Sequence, residues 1–174
     1  HMIAKGGKTD RMMAELYGKK TGVMKGKGGS MHFTDPDIGD LGADGLVATQ
    51  LVTANGSALS ARMRGTDQVT VCFLGDGCVN TARFHEGVNL AAIWKLSVVY
   101  VCANNGYAET TSINYAMSTP TITDRAASYG IPAVSVDGND VLAVYEAVAD
   151  AVTRVRKGEG PIFIECRTCR WQGH

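Results

Sequence analysis

A chain of 174 residues, 45% of them hydrophobic, is long enough to bury a core and too apolar to remain disordered. Its 17 basic residues balance 17 acidic ones, so bulk charge gives no reason to expect a nucleic-acid surface. No apolar stretch reaches the roughly 18 residues of a membrane span, no secretory leader pattern opens the chain, and five cysteines are an odd number for a disulfide framework. A soluble, cytoplasmic protein is the expectation.

In chain order, residues 9–20 read as a helix capped by Thr9 or Asp10, followed by a glycine-rich loop that runs to about Val47. A connection that long is expected to be functional. Residues 48–64 read as a second helix, in which Ala54, Gly56, Ala58 and Ala61 would allow close packing. Residues 69–74 and 97–103 are short apolar runs of buried-strand length. Between them Phe84, Val88, Ala91, Ala92 and Leu96 follow a helical period, with Asn80 or Thr81 as cap. The pattern repeats with a strand at 133–136, a helix capped by Asn139 or Asp140 and a strand at 161–165. Val141, Val144, Tyr145, Val148, Val152 and Val155 would form the apolar face of that helix. The expected fold class is α/β, a mainly parallel sheet flanked by helices, with residues 1–174 as one domain.

Gly75-Asp76-Gly77 and Asn104-Asn105 stand at the ends of the first two strands. A right-handed crossover makes those strands parallel and brings Asp76 and Asn105 to one carboxyl edge, where open α/β sheets bind ligands. A carboxylate, a side-chain amide and a nearby main-chain carbonyl are hard oxygen donors, and two diphosphate oxygens and a water would complete an octahedron around magnesium. Gly77 leaves room, and the N–H groups of Gly77 and Cys78 at the helix mouth could meet the diphosphate. A tight turn with Asp76 merely capping the helix is the competing reading of Gly-Asp-Gly alone.

Other motifs carry less. Gly7-Lys8-Thr9 looks like the end of a phosphate-binding loop, but its first glycine would fall on Met2 and no strand precedes it. Neither glycine-rich segment joins a strand to a helix as a dinucleotide site requires. Cys166 and Cys169 lie in a strand-like run without a second pair and read as ordinary strand cysteines. His85 and Glu86 read as packing or interface groups.

Gly75-Asp76-Gly77 with Asn104-Asn105 resembles the thiamine diphosphate motif. The segments 26–32, 84–89, 94–96, 136–138 and 170–174 resemble the α subunits of the pyruvate and acetoin dehydrogenase complexes, end to end. The run from Asn105 through Gly106, Tyr107 and Ala108 to Glu109, and the opening residues 1–6, are more similar to the acetoin type. The resemblance implies an α subunit of an acetoin dehydrogenase, with pyruvate dehydrogenase as the near alternative and a noncatalytic assembly fragment as one of another class.

It further implies magnesium held by Asp76, Asn105 and the Tyr107 carbonyl, and a diphosphate contacted by the Gly75-Asp76-Gly77-Cys78 turn. Gly45, Leu46 and Val47 would meet the aminopyrimidine through main chain, and His174 would belong to a mobile loop at the active-site entrance. His32 receives no role from the resemblance. The partners implied are a β subunit carrying the activating glutamate, in a heterotetramer, and a lipoyl-bearing acyltransferase that accepts the acyl unit. Thr81-Ala82, Ala103 and Ser97 depart from the family pattern without removing a metal ligand. Family chains also extend upstream and downstream, so a central portion is expected.

Overall fold

A computed structural model describes residues 1–173. The chain forms two compact units, one spanning His1–Leu46 and the other starting at Val47. In the first, helix α1 spans Thr9–Leu16, and short 3-10 turns occupy Ile3–Lys5 and Pro36–Ile38. α1 is a turn shorter than its pattern suggests, because Gly18 takes a left-handed φ of 64° and its N–H returns to the Glu15 carbonyl. Neither Thr9 nor Asp10 caps it; Lys8 holds the cap position without a side-chain bond. Asp35 and Asp40 form an isolated antiparallel bridge around the second 3-10 turn.

The second unit begins with α2 (Thr49–Met63), β1 (Thr70–Gly75) and a 3-10 turn at Asp76–Asn80. α3 (Ala82–Trp94) leads to β2 (Val98–Asn104), and a small hairpin follows from β3 (Tyr107–Ala108) and β4 (Thr111–Ser112). Two short helices, α4 (Ile113–Ala116) and α5 (Ile122–Ala127), precede β5 (Ala133–Asp137), α6 (Val141–Arg156) and β6 (Ile162–Arg167). β1, β2, β6 and β5 lie in that order in one sheet, every neighbour parallel.

The expected parallel architecture is therefore present, and its cause is visible in burial. Val98, Val99, Tyr100, Val101 and Cys102 of the central β2 are all buried, which only a sheet covered on both faces allows. On one face α2, α3 and α5 pack Leu51, Ala58, Phe84, Val88 and Ile122 against Leu74, Tyr100 and Phe163. On the other, Ala151 and Val155 of α6 meet Val99, Val101 and Ile164. Tyr100 keeps its hydroxyl satisfied inside this core by donating to Asn55 Oδ1 at 2.7 Å, while Asn55 Nδ2 donates to the Gly87 carbonyl.

Two details of the helix faces differ from the sequence pattern. Gly56 of α2 points into open space, and the close packing comes from Ala54, Ala58 and Ala61. Val141 and Tyr145 of α6 are 77% and 71% exposed, because the buried stripe turns through Ala151 and Val155 toward the C-terminal half of the helix. Among the described residues no helix is long and apolar enough to cross a membrane.

Candidate functional site

β1 carries Asp76 to the carboxyl edge of the sheet. Gly75 ends the strand in extended backbone and Asp76 begins the 3-10 turn. Gly75 is level with Ala103 of β2, so the turn lies beside Asn104 and Asn105. Asp76 is only 3% exposed, and its Oδ2 has no hydrogen-bond partner among the described residues. Burial raises its pKa above the usual carboxylate value, against the opposing pull of the Asp76 and Gly77 main-chain N–H groups and of the Arg170 charge. A buried carboxylate oxygen without a donor is unfavourable, and an external cation or donor would relieve it.

The two asparagines have different duties. Asn104 is structural: its Nδ2 donates to the buried Glu165 at 2.7 Å, and its Oδ1 accepts from Gly106 N at 3.0 Å. Among the described residues the Asn105 side chain makes one turn bond, Oδ1 accepting from Tyr107 N at 3.0 Å, and an amide oxygen has a second lone pair to offer. Tyr107 opens β3 and is held in register opposite Ser112.

Space around the turn separates the glycines. A Cβ at Gly77 would stand 2.5 Å from the Ala108 Cβ, so only glycine lets the hairpin settle on the turn; at Gly75 a Cβ would meet nothing. Cys78 is buried, with Gln50 Nε2 3.7 Å from its sulfur. The turn is not the first turn of α3, which corrects the helix-mouth expectation for Gly77 and Cys78. Thr81 lies between the two in extended backbone and caps α3, accepting from Phe84 N at 3.2 Å. Any anion at Gly77 and Cys78 would meet the N–H groups of a five-residue turn, with little of the α3 dipole behind them.

Arg170, which the sequence offered only as the start of the 170–174 segment and without a role, acts electrostatically on Asp76. It donates to the carbonyl of Glu109, which has a left-handed φ of 52° in the β3–β4 turn, and through Nε to the Gln172 carbonyl at 3.0 Å. Beyond its membership of the 170–174 segment, its signal in the sequence was a cation three residues past the end of β6.

Gly45 and Leu46 end the first unit, and Leu46 N is held by Asp44 Oδ1 at 2.8 Å. Leu46 and Val47 expose more than half of their surface, and Ala48 follows fully buried with φ 70°, a strained conformation for a residue with a Cβ. His32 places Nδ1 3.1 Å from the Ala43 carbonyl. His85 bonds the Tyr129 hydroxyl, consistent with a packing role. Cys166 is buried in β6 and Cys169 lies exposed beyond it, both free. The expected role of His174 lies outside the described residues. Among those residues no group of three or more His, Cys, Asp or Glu side chains converges. A cation at Asp76 would therefore rely on amide, carbonyl and ligand oxygens.

The family model described as dehydrogenase E1 component matches residues 1–174. The chain is 55% identical over its whole length to the α subunit of an acetoin:2,6-dichlorophenolindophenol oxidoreductase from Bacillus subtilis, covering 52% of that protein. It is 43% identical to a pyruvate dehydrogenase E1 component α subunit from Rhizobium meliloti, covering 50% of it. The chain thus spans about half the length of the curated relatives it matches. An X-ray structure from Mycobacterium smegmatis, assigned as a thiamin diphosphate-dependent enzyme, superposes with a TM-score of 0.58 at 25% identity, over 76% of this chain and 24% of that one.

Proposed function

This chain belongs to the dehydrogenase E1 component family, and we propose that it acts as part of the α subunit of an acetoin dehydrogenase, holding magnesium and thiamine diphosphate. The observation that carries the reading is Asp76 Oδ2, a buried carboxylate oxygen with no partner at a parallel-sheet edge. Asp76, the Asn105 side-chain oxygen and the Tyr107 carbonyl are the magnesium donors, an all-oxygen set suited to a hard cation. Gly75, Gly77 and Cys78 approach the diphosphate through main chain. Gly45, Leu46 and Val47 contact the aminopyrimidine, and His174 serves the entrance.

When bound, the cofactor supplies a nucleophilic carbon and a sink for the electrons that carbon–carbon cleavage releases. The chain's own residues bind and orient. Asp76 offsets metal charge, the absent Cβ at Gly77 admits the hairpin that carries Tyr107, and Asn104 with Glu165 fixes the backbone from which Asn105 projects. The activating glutamate comes from a β subunit, in a cytoplasmic heterotetramer, and a lipoyl-bearing acyltransferase takes the two-carbon unit. Acetoin is favoured over pyruvate by the segment from Asn105 to Glu109 and by the higher identity to the acetoin-type relative. A pyruvate dehydrogenase α subunit is the second reading, supported by the Rhizobium meliloti relative.

Titrating thiamine diphosphate and magnesium into the chain with and without a β subunit tests this. Saturable binding, with acetoin-dependent dye reduction only when β is present, is expected. Turnover of pyruvate with acetoin inert would move the assignment to the second reading. Absence of binding in both mixtures would leave a noncatalytic assembly role.

A further inference from the structure

Glu15 has no part in the site proposed above, yet it is the most completely enclosed acid in the first unit, 1% exposed. Its carboxylate is wrapped by main chain. Oε2 accepts from Met24 N and Gly26 N, each at 2.8 Å, and Oε1 accepts from Gly28 N at 2.6 Å. The N–H groups of alternate residues 24, 26 and 28 converge on one anion as in a nest, and charge-assisted bonds of this kind are short and strong. The glycines around it are sterically required. A Cβ at Gly22 would come within 2.6 Å of the Glu15 Cα, and Gly26 combines φ 80° with a site where a Cβ would press to 2.5 Å on the Gly18 backbone. Burial alone would push the carboxyl pKa up, but the N–H groups of Gly26, Gly28, Met24 and Gly29 outweigh it and hold the group below its ordinary range.

The wrapped segment supports His32. A Cβ at Gly28 would lie 2.8 Å from the His32 carbonyl oxygen, so the nest packs directly against the backbone that carries the imidazole. His32 Nδ1 in turn meets the Ala43 carbonyl at 3.1 Å, which requires a proton on Nδ1 and leaves Nε2 as the acceptor in the neutral ring. The ring edge faces Gly45, where a Cβ would stand 3.5 Å from Cε1 and 3.8 Å from Nε2.

We infer that Glu15 is a positioning residue: it folds residues 22–29 into a fixed support for His32, and His32 in turn sets the main chain of 43–45 for the pyrimidine end of the cofactor. The inference rests on the proposed function for its ligand, and on the first unit alone for its mechanics.

The test uses Glu15→Gln in the complete complex of α and β subunits. Gln keeps the length but turns an N–H₂ group toward main-chain donors. Hydrogen exchange followed by mass spectrometry should show at least a tenfold loss of protection at the amides of 24–28 and 31–33, with β1, β2 and β6 unchanged. The Kd for thiamine diphosphate should rise about tenfold, the scale of one lost charge-assisted contact, while kcat at saturating cofactor stays within about twofold. His32→Ala should raise the Kd similarly, and the double variant should be no worse than the weaker-binding single one, because the two residues act in series. Glu15→Asp, which keeps the charge and shortens the reach, should fall between and covers the case in which the Gln variant does not fold. Additive effects of the two substitutions, an unchanged Kd, or exchange spreading through the sheet would each overturn the inference. A wild-type complex that binds no thiamine diphosphate would instead sink the functional reading, and the exchange pattern would still decide whether Glu15 holds His32.

Discussion

The loop around Glu15 and the sheet edge at Asp76 each bury a carboxylate, and they solve the problem in opposite ways. Glu15 receives main-chain N–H groups on both oxygens, whereas Asp76 leaves Oδ2 without a donor among the described residues. The surroundings drive the two pKa values in opposite directions: donors prevail at Glu15 and desolvation prevails at Asp76. A satisfied buried anion organises its own chain, and an unsatisfied one is open to a ligand. The first is architecture, and the second is the group on which the proposed cation site rests.

Substituting Asp76 sharpens this contrast most. Asp76→Ala in the complete complex should weaken magnesium-dependent thiamine diphosphate binding by about a hundredfold, as expected for a lost charged contact. The thermal midpoint of the cofactor-free protein should change little, since the variant removes both the donor-less Oδ2 and the bonds the carboxylate takes from the Asp76 and Gly77 main-chain N–H groups. Calorimetry and a melting curve read both, and a marked loss of stability would make Asp76 structural after all.

The glycine pair comes next. Gly77→Ala should cost about 1–3 kcal/mol through overpacking against Ala108, and should lower cofactor affinity as β3 shifts. Gly75→Ala, in extended backbone and open space, should leave stability within about 0.5 kcal/mol. Equal effects in denaturant titrations would remove the steric account of Gly77.

Acid should act on the Glu15 side of the comparison. Because its folded pKa lies below the ordinary 4.5, the stabilisation is fully present above that value and is lost as pH falls through the depressed pKa. Protection of amides 24–28 should therefore decline only below about pH 4.5, and the decline should vanish in Glu15→Gln. A loss centred well above that pH would assign it to another group. The smallest effect is local: Thr81→Ala removes the α3 cap and should cost about 1 kcal/mol in a denaturant titration. A change within error would mean that the Cys78–Thr81 turn holds the helix start without the hydroxyl.

The sheet was legible because buried parallel strands are continuous apolar runs, and because Thr81 and Asp140 are cap residues placed before helical periods; Asp140 Oδ1 accepts from Leu142 N at 2.9 Å. That Asp76 and Asn105 share one edge of the sheet was legible for a topological reason: one crossover joins the two parallel strands that carry them. Glu15 was not. It reads as a surface acid on an amphipathic helix, and its partners are main-chain groups 9 to 13 residues away that carry no side-chain signature. The glycines at 22, 26 and 28, following a helix with one acid near its end, were the available clue. The β3–β4 hairpin is two residues per strand, below the length at which alternation can be read, and so its clamp by Arg170 was hidden too.

The central claim is that Asp76 Oδ2 awaits a divalent cation. Crystals of the complete complex grown with thiamine diphosphate and manganese, a magnesium surrogate with an anomalous signal, locate that cation directly. The account predicts a peak at bonding distance, about 2.0–2.2 Å, from Asp76 Oδ2, the Asn105 side-chain oxygen and the Tyr107 carbonyl. A peak that leaves Asp76 uncoordinated, or ordered cofactor with no peak beside Asp76, would contradict it.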